Sequence, residues 1–95
     1  MMADSVVYIG NKPFMNYVTA VVIQFNNQGV NEITIKARGR YITRAVDVAE
    51  VVRKKFLAGQ VDVKEVKIDS ETFVDQATNR EKRVSVIEIT LARKQ

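Results

Sequence analysis

The sequence predicts an α+β fold of order βαβαββ, a two-layer sandwich in which two helices cover one face of a mixed four-stranded sheet and a C-terminal β-hairpin protrudes. Three observations lead there. Two stretches, starting at Pro13 and near Thr43, space their apolar residues as amphipathic helices. Each is preceded by a β-branched run suited to a strand, so both helices are crossovers. Two long strands, 61–74 and 82–92, then follow in succession, joined by the polar stretch DQATNREK. Ninety-five residues with 46% hydrophobic content suffice for one core. No linker, repeat or low-complexity tract interrupts them, so 1–95 is read as a single domain.

In chain order, residues 6–10, VVYIG, form a β-branched and aromatic run ending at glycine, which suits an inner strand. Lys12 precedes proline, which disfavours helical backbone for it. Pro13 is therefore expected as the first helical residue, with Lys12 as the N-cap. Phe14, Val18, Val21, Val22 and Phe25 make one buried helix face, and NNQG stops it, with Gly29 able to turn left-handed. Residues 31–38, NEITIKAR, alternate: Ile33, Ile35 and Ala37 face one way, Glu32, Thr34, Lys36 and Arg38 the other. The second helix is expected over 43–57 with Ala45, Ala49, Val52 and Phe56 as its stripe, and Glu50 one turn from Arg53 and Lys54. Ala58-Gly59 ends it. The apolar phase shifts between Val63 and Val66, which places a bulge near Lys64-Glu65. In the last strand Val84 and Val86 lie on one face and Ile87, Ile89 and Leu91 on the other. That pattern asks for a second covering layer, a helix or another subunit.

The chain has no cysteine and no histidine, which removes disulfides, thiol nucleophiles, the commonest metal ligand and the commonest general base. The acids Asp62, Glu65, Asp69 and Glu71 alternate with lysines and read as cross-strand pairing, not as an acid/base dyad. Gly10-x-Lys12 lacks the spacing of a phosphate-binding P-loop. Neither an enzyme nor a cofactor is expected. The N-terminus, MMADSVVYIG, lacks the pattern of a secretory leader, and no apolar run approaches the roughly 20 residues that span a bilayer. The expected location is cytoplasmic, at the nucleoid.

The formal net charge is +4, and its distribution is uneven. The run KARGRYITR holds Lys36, Arg38, Arg40 and Arg44 around a glycine, with no acid between Glu32 and Asp47. Cations crowded at a turn repel one another unless an anion is near, and a phosphate backbone is the commonest such anion. Lys12 and Arg44, both at helix starts, oppose the helix dipole, a conflict that a bound phosphate removes. The hairpin tip carries Arg80, Lys82 and Arg83, and a basic β-ribbon can lie along or enter a minor groove. Asn16 and Tyr17 lie one turn into the first helix, where Tyr17 either stacks on an unpaired base or packs against the core edge. A solvated basic face of a protein-interaction module remains the alternative to a nucleic-acid site.

The strings VVYIGNKPFMNYV, IKARGRYITRAVDVAEVVRKKF and VSVIEITLARK resemble the Alba chromatin proteins of archaea, over roughly residues 6–93. The resemblance implies the βαβαββ fold, a homodimer, and binding of double-stranded DNA, and of RNA, with little sequence preference. Coating, bridging or compaction of DNA, or a primary role on RNA, are the functions it suggests. It implies backbone contacts from the loop around Lys12 and from Arg38 and Arg40, minor-groove contacts from the arm, and a dimer-to-dimer contact at Phe56. The family's loop pattern is Lys-Lys-Pro; here Asn11 stands in place of the first lysine. Asn11 can donate a hydrogen bond to phosphate but cannot be acetylated, which leaves Lys12 as the loop's candidate for charge-removing acetylation.

Overall fold

The computed structural model describes residues 5–94; the first four residues, part of the stretch read above for a leader, and Gln95 lie outside them. Strand β1 is Ser5–Tyr8, helix α1 Phe14–Asn27 and strand β2 Glu32–Arg38. A 3₁₀ turn at Gly39–Tyr41 leads into α2, Ile42–Val51, which continues as a π-helical turn at Val52–Phe56. The long strands are β3, Val61–Asp75, and β4, Arg80–Arg93. The sheet order is β1-β2-β4-β3, with β1 parallel to β2 and the other pairs antiparallel. Among the described residues no helix is long and apolar enough to cross a membrane.

The core is the layer between helices and sheet. Val18, Val21 and Phe25 of α1 and Ala45, Val48 and Ala49 of α2 are buried against Ile33, Ile35, Ile89 and Leu91. The alternation read in β2 holds residue by residue, and the register shift of the bulge falls between Val63 and Glu65. Gly29, at φ 65, follows the C-cap of α1 as expected. Gly39 has a double reason to be glycine. Its φ is 57, and a Cβ there would come within 3.3 Å of Val84 Cγ2, where the chain turns from β2 against the base of the hairpin.

Four expectations change. First, β1 is an edge strand and not an inner one, because it pairs only with β2. Val7 faces the core while Val6 and Tyr8, 49% and 63% exposed, face outward, so a β-branched run that suits two-sided burial is buried on one side only. Second, the N-cap of α1 is Pro13, at φ −54 and ψ 140, and helical backbone begins at Phe14. Lys12 therefore sits one residue outside the cap.

Third, the stripe of the second helix does not run to Phe56. The π-helical turn closes with Leu57 N donating to Val52 O, an i→i+5 bond of 2.8 Å. The extra residue carries Leu57 into the core, 1% exposed, and leaves Phe56 50% exposed. Fourth, of the two covers expected, a helix is absent from the face opposite α1 and α2 among the described residues. That face is closed by cross-strand polar pairs, Thr34 with Thr90 at 3.0 Å between hydroxyls and Lys36 with Glu88 at 3.6 Å, and Val86 is nevertheless buried.

Candidate nucleic-acid interface

Strand direction brings the basic segments together. β1 and β2 run in parallel, so the 10–13 loop and the 39–41 turn leave the same end of the sheet, with Tyr8 beside Lys36. The last residue of β2, Arg38, is paired with Val86 of β4. Beyond that pair β3 and β4 continue alone, Ser70 opposite Ser85 down to Asp75 opposite Arg80. Six further residues per strand make an arm of about 20 Å, and it projects from the same end as the two loops. Long-axis and transverse extents of 48, 26 and 20 Å fit that projection.

The 10–13 loop is held from both sides. Tyr17 is 8% exposed, and its hydroxyl accepts from Gly10 N at 2.9 Å and Lys12 N at 3.1 Å. Arg44 Nη1 donates to Gly10 O at 2.8 Å and Lys12 O at 2.6 Å. The backbone donors and acceptors of Gly10 and Lys12 are thereby all engaged, which fixes the loop and leaves the exposed Lys12 and Asn11 side chains outside it. Of the two readings of Tyr17, core packing is what the structure shows; its ring is not open to a base. Arg44, half-buried, has its charge opposite loop carbonyls, so its place near a helix start needs no phosphate to account for it. Asn16 is exposed one turn along α1, which no side chain caps.

The run from Lys36 to Arg40 has partners of its own. Arg38 grips Glu71 in a forked pair, Nε to Oε1 at 2.7 Å and Nη2 to Oε2 at 3.2 Å. That hydrogen bond, then the charge itself, holds the Glu71 carboxyl below the usual carboxylate range and raises Arg38. Lys36 pairs with Glu88. Arg40 lies over the Tyr41 ring, 5.0 Å from its centroid, and donates to the Tyr41 hydroxyl at 3.0 Å, with no acid opposed to it among the described residues.

In the arm, Lys82 pairs with Asp75 at 3.2 Å. The Asp75 carboxyl lies below its ordinary range, first because it accepts from Ala77 N and then because of Lys82. Asn79, at φ 57, completes the turn. Among the described residues Lys12, Arg80 and Arg83 have no acidic partner. Phe56 stands exposed next to Lys54 and Lys55, at the far end of α2 from Arg44.

Sequence reasoning read Glu71 as a cross-strand pairing acid without matching it to Arg38, and missed Glu88 and Asp75 as partners and Tyr41 as the support of Arg40. The alternation of β2 put Lys36 and Arg38 on one face, but which acids oppose them depends on register with strands far along the chain. It also missed an apolar strip. The helices leave β3 uncovered, so Val63 and Val66 line a groove with the exposed Val46 of α2, and Ile68, 82% exposed, lines a neighbouring one with Ile42. No group of acids that could hold a metal ion occurs among the described residues.

A sequence model of the Alba family matches residues 5–70. The chain is 66% identical over 88 residues to the DNA/RNA-binding protein Alba of Nanoarchaeum equitans, an alignment spanning 93% of this chain and 97% of that protein. It is 57% identical over 94 residues to the DNA/RNA-binding protein Alba 1 of Archaeoglobus fulgidus, across 98% and 100% of the two. Its fold superposes on Alba from Thermoplasma volcanium with a TM-score of 0.83 at 49% identity, covering 93% of this chain and 99% of that one. Sequence and fold agree over nearly the whole length, and the chain belongs to the Alba family.

Proposed function

We propose that this chain is a non-enzymatic protein that binds double-stranded DNA, and RNA, through the sugar-phosphate backbone and with little regard to base sequence. The observation that carries the reading is the common exit of the 10–13 loop, the 39–41 turn and the arm from one end of the sheet. Relatives named DNA/RNA-binding proteins support it. Lys12, Arg38 and Arg40 contact phosphates, with Asn11, Asn16 and Lys36 at the margins. Arg80, Lys82 and Arg83 take the arm into or along a minor groove. Tyr17 and Arg44 hold the loop instead of touching the ligand. Phosphate contacts fix position but carry no sequence information, hence the low specificity.

The working unit is a homodimer. A symmetric partner laid on the groove between α2 and β3 would bury Val46, Val63, Val66 and Ile68 and supply the covering that β3 lacks. Dimers coat or bridge duplexes at the nucleoid, with the exposed Phe56 as the contact from one dimer to the next, and acetylation of Lys12 would weaken binding by removing a charge. A dimer that neutralises about six to ten phosphates should show log affinity falling against log salt with a slope of roughly −5 to −9, equal for unrelated duplex sequences. An affinity flat between low and moderate salt would refute the backbone reading. Competition between duplex DNA and duplex RNA then decides which is the preferred ligand.

A further inference from the structure

We propose that Glu71 is a built-in competitor for phosphate at Arg38, and that the pair latches the arm to the body until a ligand phosphate takes the guanidinium. The inference rests on the nucleic-acid reading above and concerns how the same site is set. Arg38 is the last residue of β2, the strand that anchors the body. Glu71 lies opposite Val84, two positions beyond the Arg38–Val86 pair, on the arm and on the same face of the sheet. The contact therefore joins the last body residue to the first stretch of the projecting ribbon.

Its geometry is a guanidinium–carboxylate fork, the same edge that a phosphate would use. A guanidinium fork binds two oxygens of a carboxylate or of a phosphate in the same way, so one ligand excludes the other from the edge formed by Nε and Nη2. The two distances, 2.7 and 3.2 Å, occupy that edge. Both side chains are close to half exposed, at 46% and 44%, so exchange requires no opening of the core. An exposed pair of this kind is weak enough for a multivalent polyanion to displace, yet strong enough to lower affinity for a ligand offering few phosphates. Displacement also unties the arm from β2 at the moment the ligand arrives.

The test uses a fluorescent 20-base-pair DNA duplex of about that length and the full chain. Glu71→Gln is compared with Glu65→Gln, which makes the same charge change on the same sheet face at a residue with no salt bridge among the described residues. Glu71→Gln is expected to tighten binding about 1.5- to 5-fold beyond Glu65→Gln, and the excess should vanish when Arg38→Gln is added. Backbone order parameters of the arm in the free protein should fall in Glu71→Gln and not in Glu65→Gln. Equal affinities of the two Gln variants, while Arg38→Gln weakens binding, overturn the competition and leave the phosphate site standing. Unchanged binding in Arg38→Gln overturns the site at that residue and the competition with it.

Discussion

Replacing Tyr17 by phenylalanine removes one oxygen and nothing else, and that oxygen accepts from two backbone N–H groups of the 10–13 loop. The ring should keep its buried place under the loop, since phenylalanine has the same shape. Each hydrogen bond contributes about 0.5–1.5 kcal/mol net. Lys12 is exposed, so water replaces its bond at little loss, whereas Gly10 is half-buried and keeps less access to solvent. A total of about 1–2 kcal/mol follows. For a domain of this size that lowers the melting temperature by roughly 5–15 °C. Urea denaturation at fixed protein concentration measures the first quantity, and amide exchange at Gly10 and Lys12 reports whether the loss is local. Duplex affinity should fall a few-fold because the loop must be ordered on binding, but the salt slope should stay the same because no charge has been removed. A variant of unchanged stability, with both amides as protected as before, would refute the role assigned to the hydroxyl. A changed salt slope would refute the claim that Tyr17 positions the loop without touching phosphate.

Ile68→Asp should convert the proposed dimer to a monomer with its secondary structure intact, because the residue is 82% exposed in the single chain. Full burial of an isoleucine contributes about 1.5–3 kcal/mol, and a symmetric interface counts it twice; sedimentation equilibrium that still reports a dimer would remove β3 from the interface. Stability should be level from about pH 8 to pH 5, since no histidine titrates there. Glu50, Glu71 and Asp75 have native carboxyls below their unfolded values, so their contribution is complete above about pH 4.5 and is lost as pH falls through the native values. Denaturation midpoints measured across that range should drop only at the acid end, and by less in high salt, because these pairs are exposed.

The parts of the fold that were legible in the sequence are those set by local pattern. The alternation of NEITIKAR, the stop at Gly29 and the phase shift before Val66 each express a short-range constraint, and each holds. The misread parts depend on something a local pattern does not contain. VVYIG gives no sign of being an edge strand, because a β-branched run looks alike whether one or both faces are covered. Phe56 falls on the stripe of an ideal helix, and a single i→i+5 bond at Leu57 moves it out. Lys12 was placed one position too far into the helix because proline, whose φ suits a first helical turn, here has the extended ψ of a cap.

The candidate site divides along the same line. Where the cations fall along the chain was readable; what each of them faces was not. Arg38 meets Glu71 at a separation of 33 residues, and Arg44 meets Gly10 at 34, distances that only the crossovers and the strand register define. Those partners change what the charge run implies. Mutual repulsion among Lys36, Arg38, Arg40 and Arg44 suggested that an anion was needed. The fold already supplies two carboxylates, an aromatic ring and two carbonyls to the four of them. Charge density in the run therefore argues for a ligand less strongly than it did in the bare sequence. The stronger argument is positional: Lys12, Arg40, Arg80 and Arg83, which have no acidic partner among the described residues, lie on the two loops and the arm that leave the sheet together, whereas Lys55, Lys67 and Lys94, also without one, are scattered singly over the rest of the surface. A structural use for positive charge would put it wherever acids need partners. Four such cations on segments that leave the sheet at one end suit a surface that meets its counter-charge on another molecule.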